Sequence, residues 1–205
     1  MKRGIIILLV LAAAFALYWF KFRSSDSVDR GPKQEPVSLK KHSVGFNKAV
    51  DNVMVEYFMM KDAFVDADTI KVKDHAKKFM SLLDSIPLTE LKNDTASIYE
   101  SAAANVTDVK MNTASLLKQT DITEMRQDFR GVSDMLFPSF FKVINYEGQQ
   151  LYLENCPMAF GENKDANWIS NSSEIVNPYL GKNHPEYKGG MLHCGEVKDS
   201  IIARK

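Results

Sequence analysis

Residues 45–65 read GFNKAVDNVMVEYFMMKDAFV. Apolar side chains recur at Phe46, Val50, Val53, Tyr57, Met60 and Phe64. Steps of three and four place them on one face of a helix. Asp66 and Asp68 close this helix and open a second. Its stripe is Ile70, Ala76, Phe79, Met80 and Leu83, with Lys71, Lys73, Lys77 and Lys78 left in solvent. Pro87 ends it. Asp94 or Thr95 is placed to cap a third helix, which turns Ile98, Ala102, Val106, Val109 and Leu116 or Leu117 inward. Asp121-Ile-Thr-Glu124 has the spacing of a capping box. A fourth helix follows through Met125, Phe129, Val132 and Leu136, until Pro138 removes a donor and interrupts it. Four amphipathic segments joined by short loops predict a mainly α fold, an up-down four-helix bundle over residues 44–145.

Working outward, Gly4 to Phe20 is an uncharged run, GIIILLVLAAAFALYWF. At 1.5 Å per residue it spans roughly 25 Å, near the thickness of a bilayer core. Tyr18 and Trp19 suit an interface, and Lys21 and Arg23 can snorkel beyond them. Residues 1–23 therefore read as a membrane anchor. Ala14-Phe15-Ala16 offers the rival of a cleaved signal peptide. Cleavage there would leave an awkward Leu-Tyr-Trp-Phe start, which favours the anchor. Either reading exports the rest of the chain. Residues 24–43 are rich in Ser, Pro and charge and read as a flexible linker.

The whole chain has 205 residues, with 26 basic and 26 acidic groups. A neutral balance gives no bulk electrostatic reason to bind nucleic acid. With the anchor's four basic residues set aside, the remainder carries a formal charge of −4. Two cysteines are too few for a disulfide-built miniature fold.

The character changes over residues 146–205, which hold Gly, Pro and Asn in quantity. Val143–Tyr146 and Leu151–Glu154 flank Glu147-Gly148 and suggest strand-turn-strand. The rest reads as irregular chain with short strands, packed on the bundle as part of the same domain. Cys156 and Cys194 both lie here, 38 positions apart. Met158 follows the first by two residues; Met191 precedes the second by three, with His193 adjacent. Thiolate, thioether and imidazole make a soft ligand set, which suits Cu(I) over hard ions. Trp168 could shield or stack on a soft cation. A structural disulfide between Cys156 and Cys194 is the competing reading, and could stabilise by roughly 3–4 kcal/mol. The residues alone leave the two open. Met54, Met59 and Met60 read as core filler, and His42, His75 and His184 as surface or loop residues.

The ordered motifs resemble a family of exported bacterial domains of unknown function. They are Tyr57-Phe-Met-Met-Lys61-Asp62-Ala63-Phe64-Val65, Cys156-Pro157-Met158-Ala159, Trp168-Ile169-Ser170, Ile175 with Asn177-Pro178-Tyr179 and Gly181, and Met191-Leu192 with Cys194-Gly195. The resemblance runs over roughly residues 45–198, with Lys182 to Gly190 as an insertion. Cys156-Pro157-Met158 is also similar to the knuckle of small heavy-metal-binding domains, with Ala159 where the knuckle has His. Members of the family also occur as appendages on periplasmic adaptors of heavy-metal efflux pumps. The resemblance implies periplasmic handling of copper or another soft metal, at the bacterial inner membrane through the N-terminal helix, and implies no catalytic activity.

Two expectations follow. One is a membrane-tethered periplasmic domain binding Cu(I) or another soft metal ion through Cys156, Met158, Met191 and Cys194, with His193 optional. Trp168, Asn177 and Tyr179 would support that site, and an efflux-pump component is a candidate partner. The other is an interaction domain in which Cys156 and Cys194 form a disulfide and the Trp168 and Tyr179 region docks an envelope partner. A soluble periplasmic form after signal cleavage is the alternative localisation. No Gly-x-Ser-x-Gly elbow, His-Glu-x-x-His helix, phosphate loop or Cys-x-x-Cys pair is present, so a non-enzyme is expected.

Overall fold

The computed structural model describes residues 41–94 and 97–202. The expected anchor over 1–23, and the expected linker up to residue 40, lie outside the described residues. Among those described, no helix is long and apolar enough to cross a membrane.

The fold is mainly helical with a small sheet. Helix α1 spans Val44–Val65, and its N-cap Ser43 accepts a hydrogen bond from the Phe46 N–H. Helix α2 spans Thr69–Leu83, capped by Asp68. A 3-10 helix, Leu88–Asn93, leads to α3 over Ile98–Lys118. Helix α4 covers Ile122–Asp134. Asp121 Oδ1 accepts from the Thr123 and Glu124 N–H groups, which fixes the start of α4 where the capping pattern set it. A π-type stretch, Met135–Phe140, follows and is broken at Phe137 beside Pro138; the single turn α5, Phe141–Val143, ends the helical part. Helix α1 packs along α2, α3 along α4, and α2 against α3.

Three expectations change in detail. In α2 the buried stripe is Val72, Ala76, Phe79 and Leu83, whereas Ile70 is 75% exposed. The N-cap position of α3 is Ser97, not Asp94 or Thr95. Val143–Tyr146 is not a strand: it closes a helix, with the Tyr146 N–H donating to Phe141 O. The one strand of the expected hairpin that forms is β1, Leu151–Cys156. It is the centre of an antiparallel sheet, between β2, Ala166–Ser170, and β3, Glu196–Ile201.

Aromatic rings join the layers. Tyr57 stacks on Phe129 at 5.2 Å, and Phe64 meets Phe129 at 4.9 Å. The Tyr57 hydroxyl also carries a buried polar link between helices and sheet. Ser133 Oγ donates to Phe129 O, so Tyr57 donates to Ser133 Oγ at 2.7 Å. The same hydroxyl accepts the Ile169 N–H of β2 at 3.0 Å. Burial holds the phenol well above its usual range, so it stays a neutral donor. One oxygen therefore ties α1, α4 and β2.

Tyr57→Phe keeps the ring and strands the Ile169 N–H in a dry interior. The expected loss is about 1–3 kcal/mol, read as a lower urea midpoint at unchanged slope.

Candidate functional site

Cys156 ends β1 and is fully buried; Cys194 lies on the loop before β3 and is half-buried. Both are free thiols, with their Sγ atoms 2.8 Å apart. A buried asparagine brings the loop to the strand. Asn177 Nδ2 donates to Cys194 O at 2.7 Å, and the Asn177 N–H donates to Leu192 O at 2.8 Å. Its Oδ1 accepts from the Tyr179 and Leu180 N–H groups. Asn177 thus joins its own turn to residues 192–194.

Glycine is required beside Cys194. Gly195 has φ +147°, and a Cβ there would lie 2.8 Å from Trp168 Cη2 and 2.9 Å from Asn155 O. The indole edge is therefore pressed against the chain next to the thiol. Trp168 also meets Tyr179 edge-on at 6.0 Å, and the Tyr179 hydroxyl donates to Asn167 O.

The two methionines sit on the turns that carry the cysteines. The Gly161 N–H donates to Met158 O, and the Cys194 N–H donates to Met191 O. Both side chains are partly buried against the core. His193 is exposed, and its Nδ1–H donates to Ile175 O at 2.7 Å. Among the described residues no three of His, Cys, Asp and Glu gather into a cation cluster. The structure thus brings together Cys156, Cys194, Trp168 and Asn177, with Tyr179 behind the indole, and puts His193 on the surface. Of the α1 methionines, Met54 and Met60 are core and Met59 is half exposed.

Burial, followed by the neighbouring Cys156, pushes the Cys194 thiol up to about 12. It keeps its proton at neutral pH and is a poor nucleophile.

Glu154 belongs to this site and escapes sequence reasoning. Alternation along β1 puts it on the same sheet face as Cys156, and its cross-strand partner is Trp168. It is 0% exposed, and among the described residues neither carboxyl oxygen has a hydrogen-bond partner of good geometry; nor has Trp168 Nε1. Burial pushes the carboxyl up to about 7, against the pull of the Lys61 charge and the Trp168 indole. The available signal was the strand pattern itself, because a two-residue step from Cys156 defines that face.

Residues 53–144 match the model of a family described as "Protein of unknown function (DUF3347)". This agrees with the resemblance to a family of domains of unknown function. The matched stretch ends at the close of the helical part, so both cysteines lie beyond it. No curated protein and no solved structure matches the chain.

A carboxyl raised from 4.5 to about 7 stabilises the fold only while protonated. That contribution is complete below about pH 4 and is lost as pH rises through 7. The reduced, metal-free chain should therefore lose about 2 kcal/mol between pH 5 and 8. Glu154→Gln should remove most of that slope and unfold later at pH 8. Urea melts across this range check it; an unchanged slope in the variant contradicts it.

Proposed function

We propose that this chain is a membrane-tethered binding domain for a soft metal ion, Cu(I) foremost, working in the bacterial periplasm in sequestration, resistance or efflux. The observation that carries the reading is the pairing of Cys156 and Cys194, whose sulfurs lie 2.8 Å apart although 38 residues separate them. Thiolates suit soft ions over hard ones, and the buried Glu154 carboxyl that shares the sheet face of Cys156 is pushed toward its neutral form. The donor set fits such an ion with one adjustment. The sulfurs are closer than two donors sharing an ion need, so the Cys194 loop must draw back slightly. Its partial exposure leaves room for that, while Cys156 is held at the end of a strand.

Met158 and Met191 are the nearest thioethers in the sequence and would supply further sulfur. The exposed His193 is the least suited, since one ring nitrogen is already bonded to Ile175 O. The up-down arrangement of four helices is the scaffold in this reading, and residues 1–23 its anchor. An efflux-pump component would receive the ion.

The same proximity favours a second state. Thiol–disulfide exchange with an oxidised dithiol partner of the periplasm, which takes up the two electrons and two protons and leaves reduced, would join Cys156 to Cys194 and block the site. The domain would then act only through its surface, by docking an envelope partner.

The test is titration of the reduced full chain against a chromogenic Cu(I) competitor. We expect about one ion held per chain. Cys156→Ser or Cys194→Ser should weaken binding by about 100-fold or more, and Met158→Leu or Met191→Leu by about tenfold. Absence of competition at micromolar metal overturns the proposal. So does a mass and thiol count showing an exported chain that is wholly disulfide-bonded and resists reduction.

A further inference from the structure

A second site lies away from the two thiols. A cavity of about 860 Å³ opens between α4, the turn after β1 and the loop through residues 180–187. Arg126, on its wall, is only 3% exposed. Its guanidinium donates to two main-chain carbonyls, Nε to Pro178 O at 3.0 Å and Nη2 to Phe64 O at 3.1 Å. Among the described residues it has carbonyl dipoles but no carboxylate as hydrogen-bond partner. Burial lowers its pKa only to about 10, so the charge persists at neutral pH. Asp121, whose field opposes that shift, is committed to capping α4. A buried charge without an opposite charge is costly unless something completes it.

Two of the three acids that line the cavity are held by other side chains. Asp134 accepts from Asn167 Nδ2 and pairs with Arg130 at 3.6 Å. Asp165 accepts from Asn155 Nδ2 at 2.9 Å. Glu186 is exposed on its loop, and Lys164 is exposed on the turn after β1. His184 contributes a donor. Its Nδ1 accepts the Glu186 and Tyr187 N–H groups, and burial with the Arg126 charge lowers its pKa. The ring is therefore neutral, with its proton on Nε2. Phe160, Tyr179 and Tyr187 add aromatic wall.

We propose that this cavity binds a small organic anion, a carboxylate or phosphate ester on a flat ring, with Arg126 holding the charged end and the aromatic side chains the body. The anion completes the buried guanidinium, and the ring takes the apolar surface beside it. Residues 182–190, the insertion between the Asn-Pro-Tyr turn and Met191, supply His184 and Tyr187 and so set the shape of the occupant. This site stands apart from the sulfur pair and does not depend on metal.

The test is NMR of the metal-free, reduced full chain titrated with phenyl phosphate, with phenol and inorganic phosphate as matched probes. We expect saturable shifts of the Arg126 Nε–H signal and of amides in 159–165 and 182–190. Binding of phenyl phosphate should be at least about tenfold tighter than either matched probe. Arg126→Gln should abolish it. Because that change could also disturb folding, Lys164→Glu at the exposed rim provides the second variant, expected to weaken binding about threefold or more. Absence of saturable shifts at about 5 mM phenyl phosphate, equal binding of phenol, or full affinity in a folded Arg126→Gln variant would each overturn the assignment.

Discussion

A single buried amide decides how the C-terminal quarter closes. Asn177 is fully buried, and its main chain and side chain make four hydrogen bonds to other main-chain groups: two within its own turn and two to residues 192 and 194. A buried amide must satisfy both its donor and its acceptor side. Asn177 does so only with the two chain segments at these positions. The approach of Cys194 to Cys156 follows from this. Asparagine suits the position because one end accepts while the other donates. An aspartate of the same shape would lose the donor that Cys194 O requires.

Glycines finish what the amide begins. A Cβ at Gly181 would overlap the Val65 backbone, so the chain after the Asn-Pro-Tyr turn can lie directly on the end of α1. There the Lys182 N–H donates to Val65 O, and Lys182 Nζ reaches Asp66 at 3.0 Å. Gly195 does the same against Trp168. Irregular chain of this length has few ladder hydrogen bonds of its own. Here it is held by close approach to regular elements and by satisfied polar side chains, with Trp168 and Tyr179 filling the space between.

The helices were legible because their periodicity is local. The spacing from Phe46 to Phe64 is a property of the helix, and all six stripe residues are buried. The Asp121 cap was legible for the same reason. Errors arose where two local signals compete. Ile70 and Val72 are both β-branched and apolar, and only the docking of α2 on α1 selects Val72. Val143, Ile144 and Tyr146 read as strand by composition, yet the preceding helical turn carries the chain on. Cys156 and Cys194 stood out as the only two cysteines in the sequence. Glu154 and Arg126 did not, because a charged residue on a strand or helix normally faces water. Strand alternation puts Glu154 on the face of Cys156, but the burial of that face, like that of Arg126, comes from packing between segments far apart in the chain.

The two buried environments differ in kind, although one turn serves both. On one side Asn177 holds the carbonyl of Cys194; on the other the next residue, Pro178, gives its carbonyl to Arg126. Tyr179 then touches Trp168 with its ring and lines the arginine cavity. On the sulfur side burial drives the Cys194 thiol and Glu154 toward their protonated forms, with the Lys61 charge pulling the carboxyl the other way. The arginine side keeps a full positive charge on carbonyl dipoles. Desolvation acts on both, but it neutralises acids readily and arginine hardly at all, because the guanidinium starts so far above neutral pH. Three consecutive residues therefore divide an interior that raises the pKa of its acids from one that keeps a full positive charge. Proline in the middle fixes φ and has no N–H to satisfy, so the turn can offer a carbonyl outward without leaving a buried donor behind.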